Sequence, residues 1–356
     1  MMIWLRALCR LFLLSSALFS ALFAASVAAQ PDSLWRYFKE NFVSAEGRVI
    51  DTYQANISHS EGQGYGLLLA VKHNDLATFK RIWAWTKSHL QVREDALFAW
   101  QYRVDESGAG RVGDHNNATD GDLLIAWALL QGAAQWQQPD YRQSADAIQQ
   151  DLIAKTMVEQ ARHFFLLPAE QGFKQGDKVR LNPSYLVFPA YQSLANSFSG
   201  PWRRLFEDAH WLLDASLHPD LDLPSDWLAV DQTTGRVDLD AQFSAEAIRV
   251  WLYAALINNR DANGYPGFAH WHAFFQKQGY FPDRFDAKTM RFEGHAMPGY
   301  WAVSARVLDQ LGLPSATVWQ HAHTRLLNSC PDYYSTALYL LAVPSGSPWS
   351  YAEAEQ

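Results

Sequence analysis

Apolar positions recur with helical spacing along almost the whole chain. Amphipathic stretches fall at 33–41, 64–74, 76–88, 121–135, 144–156 and 189–197, then at 201–217, 245–258, 267–278, 298–311, 315–328 and 335–342. Residues three and four apart share a helix face, so each stretch predicts a helix that buries one stripe. About twelve helices result, with few and short strands between them. The connections are polar and glycine-rich, as in Asp105 to Asn117, with no low-complexity linker and no close internal repeat. This helix-loop-helix rhythm predicts helical hairpins closing into a toroid.

The first residues follow a different pattern. Arg6 and Arg10 precede the apolar run Leu11 to Ala25, and the small residues Ser26 to Ala29 lead into Gln30-Pro31. That is the layout of a secretory signal peptide over residues 1–29, leaving 30–356 as one expected domain, periplasmic or secreted. No later apolar run is long enough for a membrane span. Cys9 leaves with the signal, so Cys330 stands alone as an expected buried filler and no intramolecular disulfide is expected.

Charge and composition narrow the ligand. The formal charge of −8 becomes about −10 without the signal, and no basic cluster of the kind that holds phosphates is present. Nucleic acid is excluded as a partner on that ground, and an uncharged polymer is favoured over an acidic one. Fifteen tryptophans are an excess, and flat indole faces suit sugar rings as well as a core.

Three acidic positions stand out. Ser60-Glu61-Gly62-Gln63-Gly64-Tyr65-Gly66 sets one carboxylate among alternating glycines at a helix start, where each glycine costs about 1 kcal/mol of helix propensity. One reading is a space cleared for a bulky ligand beside a proton donor, Glu61; the rival is a capping box, Ser60 with Gln63 or Ser58 with Glu61. Asp120 and Asp122 fall in the first turn of a later predicted helix behind Thr119, an expected N-cap, where the helix dipole alone favours acids. Glu246 and Arg249 share a helix face, as many surface ion pairs do. The pairs His270/His272 and His321/His323 raise a metal hydrolase, but positions two apart on a helix point to nearly opposite sides, so no metal or other cofactor is expected.

Taken together, these motifs resemble the glycoside hydrolase family eight cellulases along nearly the whole mature sequence. Ser60 to Gly66 is similar to the family's acid segment, and Ala118 to Trp136 to its signature, with Gly132 where the pattern usually has alanine. Asn182 to Leu186, Leu223 to Leu228, Phe243 to Val250 and Pro331 to Tyr334 extend the match. Within that family the chain is most similar to the periplasmic endoglucanases that accompany bacterial cellulose synthase.

The resemblance implies an all-α (α/α)6 barrel and metal-free, inverting cleavage of β-1,4-glucan, with the cellulose secretion complex as an expected partner. Inversion needs two carboxyl groups roughly 6.5–9.5 Å apart, one an acid and one a base that activates water. By motif position Glu61 is the acid and Glu246 the base, with Asp120 either a competing base or a contact to the sugar beside the scissile bond. Relatives commonly read Tyr-Asp at Ala245-Glu246, which shifts the carboxylate and removes a phenol. Trp100 is expected to stack on a sugar, and Asn117, Tyr185 and Arg249 to hydrogen-bond around the cleavage point. Trp227 and Tyr333 are further substrate contacts. The alternatives are a glucan-binding scaffold with decayed catalysis, and the same fold cleaving xylan, chitosan or mixed-linkage glucan.

Overall fold

A computed structural model describes residues 33–160, 162–231, 233–328, 332–345 and 347. The expected signal peptide and Cys330 lie outside the described residues. Twelve α-helices are present among those described: α1 (Ser33–Phe42), α2 (Ser60–Lys72), α3 (Leu76–His89), α4 (Thr119–Trp136), α5 (Pro139–Thr156), α6 (Phe188–Ser197), α7 (Trp202–Ala215), α8 (Ile248–Leu256), α9 (Phe268–Gln278), α10 (Pro298–Gln310), α11 (Ala316–Asn328) and α12 (Tyr333–Ala342).

The even-numbered helices form a closed inner ring, α2 against α4, α4 against α6, and so on round to α12 against α2. Sequence composition explains the layering. Every residue of α8 from Ile248 to Ala255 is buried, as suits a helix surrounded by others, whereas α1 buries only Leu34, Trp35, Phe38 and Phe42 and turns its charges outward. The odd-numbered helices clad the ring; α9, for example, inserts Trp271 against Trp251 of α8 and hydrogen-bonds Ser304 of α10. Across the centre of the ring, Tyr65 and Tyr253 share a hydrogen bond of 2.9 Å between their hydroxyls. This is an (α/α)6 barrel.

All inner helices begin at the same end. Five of the six connections that reach that end are long, at 43–59, 90–118, 157–187, 216–247 and 279–297, and they contain the short strands. These are β1 (Ser58–His59), β2 (Gln101–Val104), β3 (Gly110–Asp114), β4 (Met157–Gln160), β5 (His163–Leu166), β6 (Lys174–Gln175), β7 (Lys178–Leu181), β8 (Leu228–Asp231), β9 (Val237–Leu239), β10 (Gln242–Phe243), β11 (Arg284–Asp286) and β12 (Arg291–Glu293). They form small antiparallel sheets ordered β1-β2-β3, β4-β5, β6-β7-β8-β9 and β10-β11-β12. The pairing of His59 with Gln101 ties the start of α2 to the hairpin that follows Trp100.

Two expectations about α2 change. The helix starts at Ser60, so the glycines lie inside it despite their poor propensity. Nor do they clear space for a ligand. A Cβ at Gly64 would lie 2.6 Å from Leu124 Cβ, one at Gly66 would meet Val49 and Ile82, and one at Gly62 would meet the Tyr333 hydroxyl. Across the same contact, a Cβ at Gly121 of α4 would lie 2.2 Å from Ser60 Oγ. Gly64 and Gly121 therefore let α2 and α4 cross at close range, Gly62 and Gly66 seat α2 against Tyr333, Val49 and Ile82, and tertiary packing outweighs the local preference.

Candidate active site

Because the inner helices start together, their first turns deliver Glu61 from α2, Asp120 from α4 and Arg249 from α8 to one place. The converging N-termini carry the positive ends of the helix dipoles, which favours carboxylates there. Arg249 is the hub. Its Nη1 donates to Glu61 and lies 3.7 Å from Asp120 Oδ2, while Nη2 donates to Glu246 Oε2 at 2.7 Å and to Ser184 Oγ at 2.7 Å. Glu61 and Glu246 thus sit on different nitrogens of one guanidinium, held apart rather than in contact.

Glu246 lies in the turn just before α8, not inside the helix that its periodicity predicts. Its side chain is 40% exposed and accepts a hydrogen bond from Asn182 Nδ2 at 2.9 Å. Asp226 builds the turn: it accepts the backbone N–H groups of Ser244 (2.8 Å) and Ala247 (3.1 Å) and the Ser244 hydroxyl (2.7 Å). Burial pushes the Asp226 carboxyl up to about 6.

The two inner acids differ in protonation. Burial pushes Asp120 up to about 8, and the negative Glu61 beside it adds to the rise against the pull of Arg249. For Glu61 burial acts in the same direction, but Arg249, with help from the Tyr65 hydrogen bond, outweighs it and holds the carboxyl below its ordinary range. Burial and the neighbouring charge thus favour a proton on Asp120, while Arg249 favours the charged form of Glu61.

His59, rather than either capping box, caps α2. Its Nδ1 accepts the Gly62 N–H at 3.0 Å and its Nε2 lies 3.2 Å from Asp51 Oδ2. Since Nδ1 is an acceptor, the ring proton is on Nε2 and is donated to Asp51. Gln63 instead bonds Val49 N, Gly47 O and Thr86 Oγ1. Thr119 is likewise not a cap; Ala118 occupies that position, and the Thr119 hydroxyl donates to Leu167 O at 2.6 Å.

A cavity of about 390 Å³ opens over Glu61, Glu246, Arg249 and Tyr333, a volume within the range of roughly 300–1,000 Å³ usual for ligand sites. Asp120 lies behind it, 2% exposed, so its carboxyl faces Glu61 and Arg249 rather than the open cavity. Tyr333 is almost wholly buried among Phe38, Phe42 and His59, so it forms floor more than contact surface.

The remaining expected contacts lie outside that cavity. Trp100 is half-buried, with its indole N–H donated to Asp114 at 2.9 Å, and its carbonyl accepts the Ser60 N–H, which sets it beside the acid. Tyr185, half-buried, follows Ser184 and senses the charges of Asp120, Arg249, Glu246 and Glu61. Two residues depart from expectation. Asn117 is buried, with its amide donating to Asp122 Oδ2 and its oxygen accepting the Glu170 N–H, so it organises the loop into α4 instead of presenting to a ligand. Trp227 has the Arg180 guanidinium 4.5 Å over its ring and stacks on Phe173, which occupies faces a sugar would need.

Sequence reasoning missed His59, Asp51, Asn182, Ser184 and Asp226 as parts of the site. Asn182, Ser184 and Asp226 were in motifs already noted, but what they hold is remote in the chain. The two histidine pairs lie on the outer helices α9 and α11, and among the described residues no group of three or more His, Cys, Asp or Glu side chains is placed to hold a metal.

Comparison with known proteins follows the same lines as the geometry. The model of glycosyl hydrolases family 8 matches residues 11–345. A probable endoglucanase of Novacetimonas hansenii is 37% identical over 321 residues, covering 87% of this chain and 90% of the relative. An endoglucanase of Cellulomonas uda is 38% identical over 253 residues, 70% of this chain and 68% of that one. The solved endo-β-1,4-glucanase of Acetobacter xylinum superposes with a TM-score of 0.74 at 36% identity, over 88% of this chain and 97% of that structure. With its barrel, its acidic motifs and a match over nearly its full length, the chain belongs to glycosyl hydrolases family 8.

Proposed function

We propose that the protein is an inverting endo-β-1,4-glucanase in which Glu61 is the acid and Glu246 the base. The observation that carries the reading is the Arg249 guanidinium holding both carboxylates apart under one cavity. The names of the relatives, endoglucanases of three bacteria, support the polymer.

In the proposed step, the Glu61 proton passes to the glycosidic oxygen as the C1–O bond breaks. Water attacks C1 from the opposite face while Glu246 takes its proton, so the new reducing end has the inverted configuration. Water access favours Glu246 over Asp120 as base: its side chain is 40% exposed, whereas Asp120 is buried and already carries a proton near neutrality. Asp120 then serves as the store of the proton that Glu61 must hold when substrate displaces it from Arg249.

Proton NMR of a fresh cellohexaose digest tests the stereochemistry, and a β-configured first product overturns inversion because an inverted β-bond gives an α-product. Glu246→Gln should abolish most turnover while Glu246→Gln protein still binds the oligosaccharide; full turnover by this variant would remove the base assignment. We place the enzyme outside the cytoplasm, released by cleavage after residue 29, beside a machine that secretes cellulose. N-terminal sequencing of the mature protein and the activities encoded by neighbouring genes test those two points. Among the described residues no helix is long and apolar enough to cross a membrane.

A further inference from the structure

One wall of the cavity takes no part in the proposed reaction. It is the tight turn from Asp51 to Ile57, closed by an isolated antiparallel bridge between those two residues. Ala55 and Asn56 both adopt left-handed backbone, φ +54° and +57°, a conformation that persists only where the surroundings specify it. Asp51 supplies that specification. Its Oδ1 accepts the N–H groups of Tyr53 (2.9 Å) and Gln54 (3.2 Å), and its Oδ2 accepts the Gln54 amide (2.9 Å) and the His59 ring (3.2 Å).

The turn so fixed displays Tyr53. That side chain is 77% exposed, the only aromatic among the strongly exposed large hydrophobics of the described residues, and it lines the same cavity as Glu61. A tyrosine held out in water on a rigid turn leaves apolar surface unburied, and the ring has few degrees of freedom to lose when something covers it. The covering group must suit the local chemistry. Asp51 is fully engaged, and Asp332 across the cavity accepts the Ser335 N–H at 2.7 Å as the cap of α12. Ala245 contributes only a methyl group. What remains is a flat aromatic face, the side-chain carbonyl of Gln54 and little net demand for charge, which fits the C–H face and hydroxyl edge of a neutral sugar ring.

Asp51 has a second effect. Through His59 it also fixes the cap of the helix that carries Glu61, so the displayed ring and the acid are held by one carboxylate. We propose that Tyr53 is the stacking platform of a sugar subsite adjoining Glu61, kept in register with the acid by Asp51 and His59. The inference rests on the proposed glucanase reading and deepens it by naming a residue that sets affinity for longer chains.

The test compares wild type, Tyr53→Ala and Tyr53→Trp on cellohexaose. Loss of a platform that binds ground and transition states alike should raise KM about tenfold with kcat within about twofold, and tryptophan should restore it. Melting temperatures equal to wild type are expected because Tyr53 is not in the core. An unchanged KM in Tyr53→Ala, with wild type active, overturns the subsite and leaves the glucanase reading standing. If wild type cleaves no β-1,4-glucan, that reading fails and calorimetry with cellohexaose and xylohexaose decides the subsite: binding weakened by Tyr53→Ala supports it, and binding absent or unaffected overturns it.

Discussion

The two ends of the barrel are built on opposite electrostatic and loop logic. At the end where the inner helices start, long strand-bearing connections surround Glu61, Asp120 and Glu246, and Arg249 is shared among them. At the other end the turns 73–75, 137–138 and 311–315 are short, and basic side chains reach acceptors at helix C-termini. There Lys72 donates to the carbonyls of Leu340 (2.5 Å), Leu341 (3.2 Å) and Val343 (2.5 Å), satisfying the end of α12, and Arg306 reaches Asn258 just past α8. One end presents carboxylates and a guanidinium to a cavity, while the other spends its basic side chains on acceptors at helix ends. The same helices therefore carry reactivity at their starts and stability at their ends.

Substitutions can break that division, and the largest effect belongs to the acid. Glu61→Gln keeps the shape and removes the proton, and should lower kcat on carboxymethylcellulose about a thousandfold, in the range of general-acid loss, with the melting temperature little changed. Full turnover by the folded variant would end the assignment.

Next comes Asp120→Asn. With the proton stored on Asp120 at about 8, kcat/KM of the wild type should fall as pH rises through about 8. Without that store Glu61, held low by Arg249, has to keep its own proton, so the alkaline limb moves toward acid and activity at pH 8 drops about a hundredfold. Stability should respond in the reverse sense. Asp120 binds its proton more tightly folded than unfolded, so its contribution is full below its ordinary value and is lost as pH rises to about 8. Melting temperatures from pH 5 to 8 should therefore decline less in the asparagine variant. An unmoved pH–rate profile would show that the two acids do not share a proton.

Gly64→Ala tests the crossing that joins the two acids. The added methyl would press on Leu124 Cβ, so we expect about 2 kcal/mol of destabilisation in urea unfolding together with reduced kcat, because Glu61 and Asp120 are forced apart. The smallest effect sits at the far end. Lys72→Met should cost about 1.5 kcal/mol by leaving the α12 carbonyls short of donors, with kcat/KM of the folded protein unaltered. Loss of activity without loss of stability there would erase the contrast between the ends.

Helical spacing located all twelve helices to within a few residues, because a buried stripe is a local pattern that survives folding. The misses have separate causes. Helix α2 begins at Ser60, where glycine propensity argues against helix and packing on α4 overrides it. Glu246 sits before α8, since Asp226, some twenty positions earlier, holds that turn open. The acids were legible as site candidates because each flanks or opens an inner helix. Asn117 and Trp227 were read as sugar contacts, yet their polar and aromatic faces are taken by Asp122, Glu170, Arg180 and Phe173, partners no local pattern announces.

Helix order, the acidic motifs and the family signature are properties of neighbouring residues, and the chain discloses them unaided. Which acid holds the proton is not of that kind. Asp120 and Glu61 are both carboxyl groups near helix starts, and they part company because folding buries one against the other and turns Arg249 toward Glu61. Electrostatic free energy depends on distances between groups far apart in sequence and on the water removed from around them, so it comes into being only when the barrel closes.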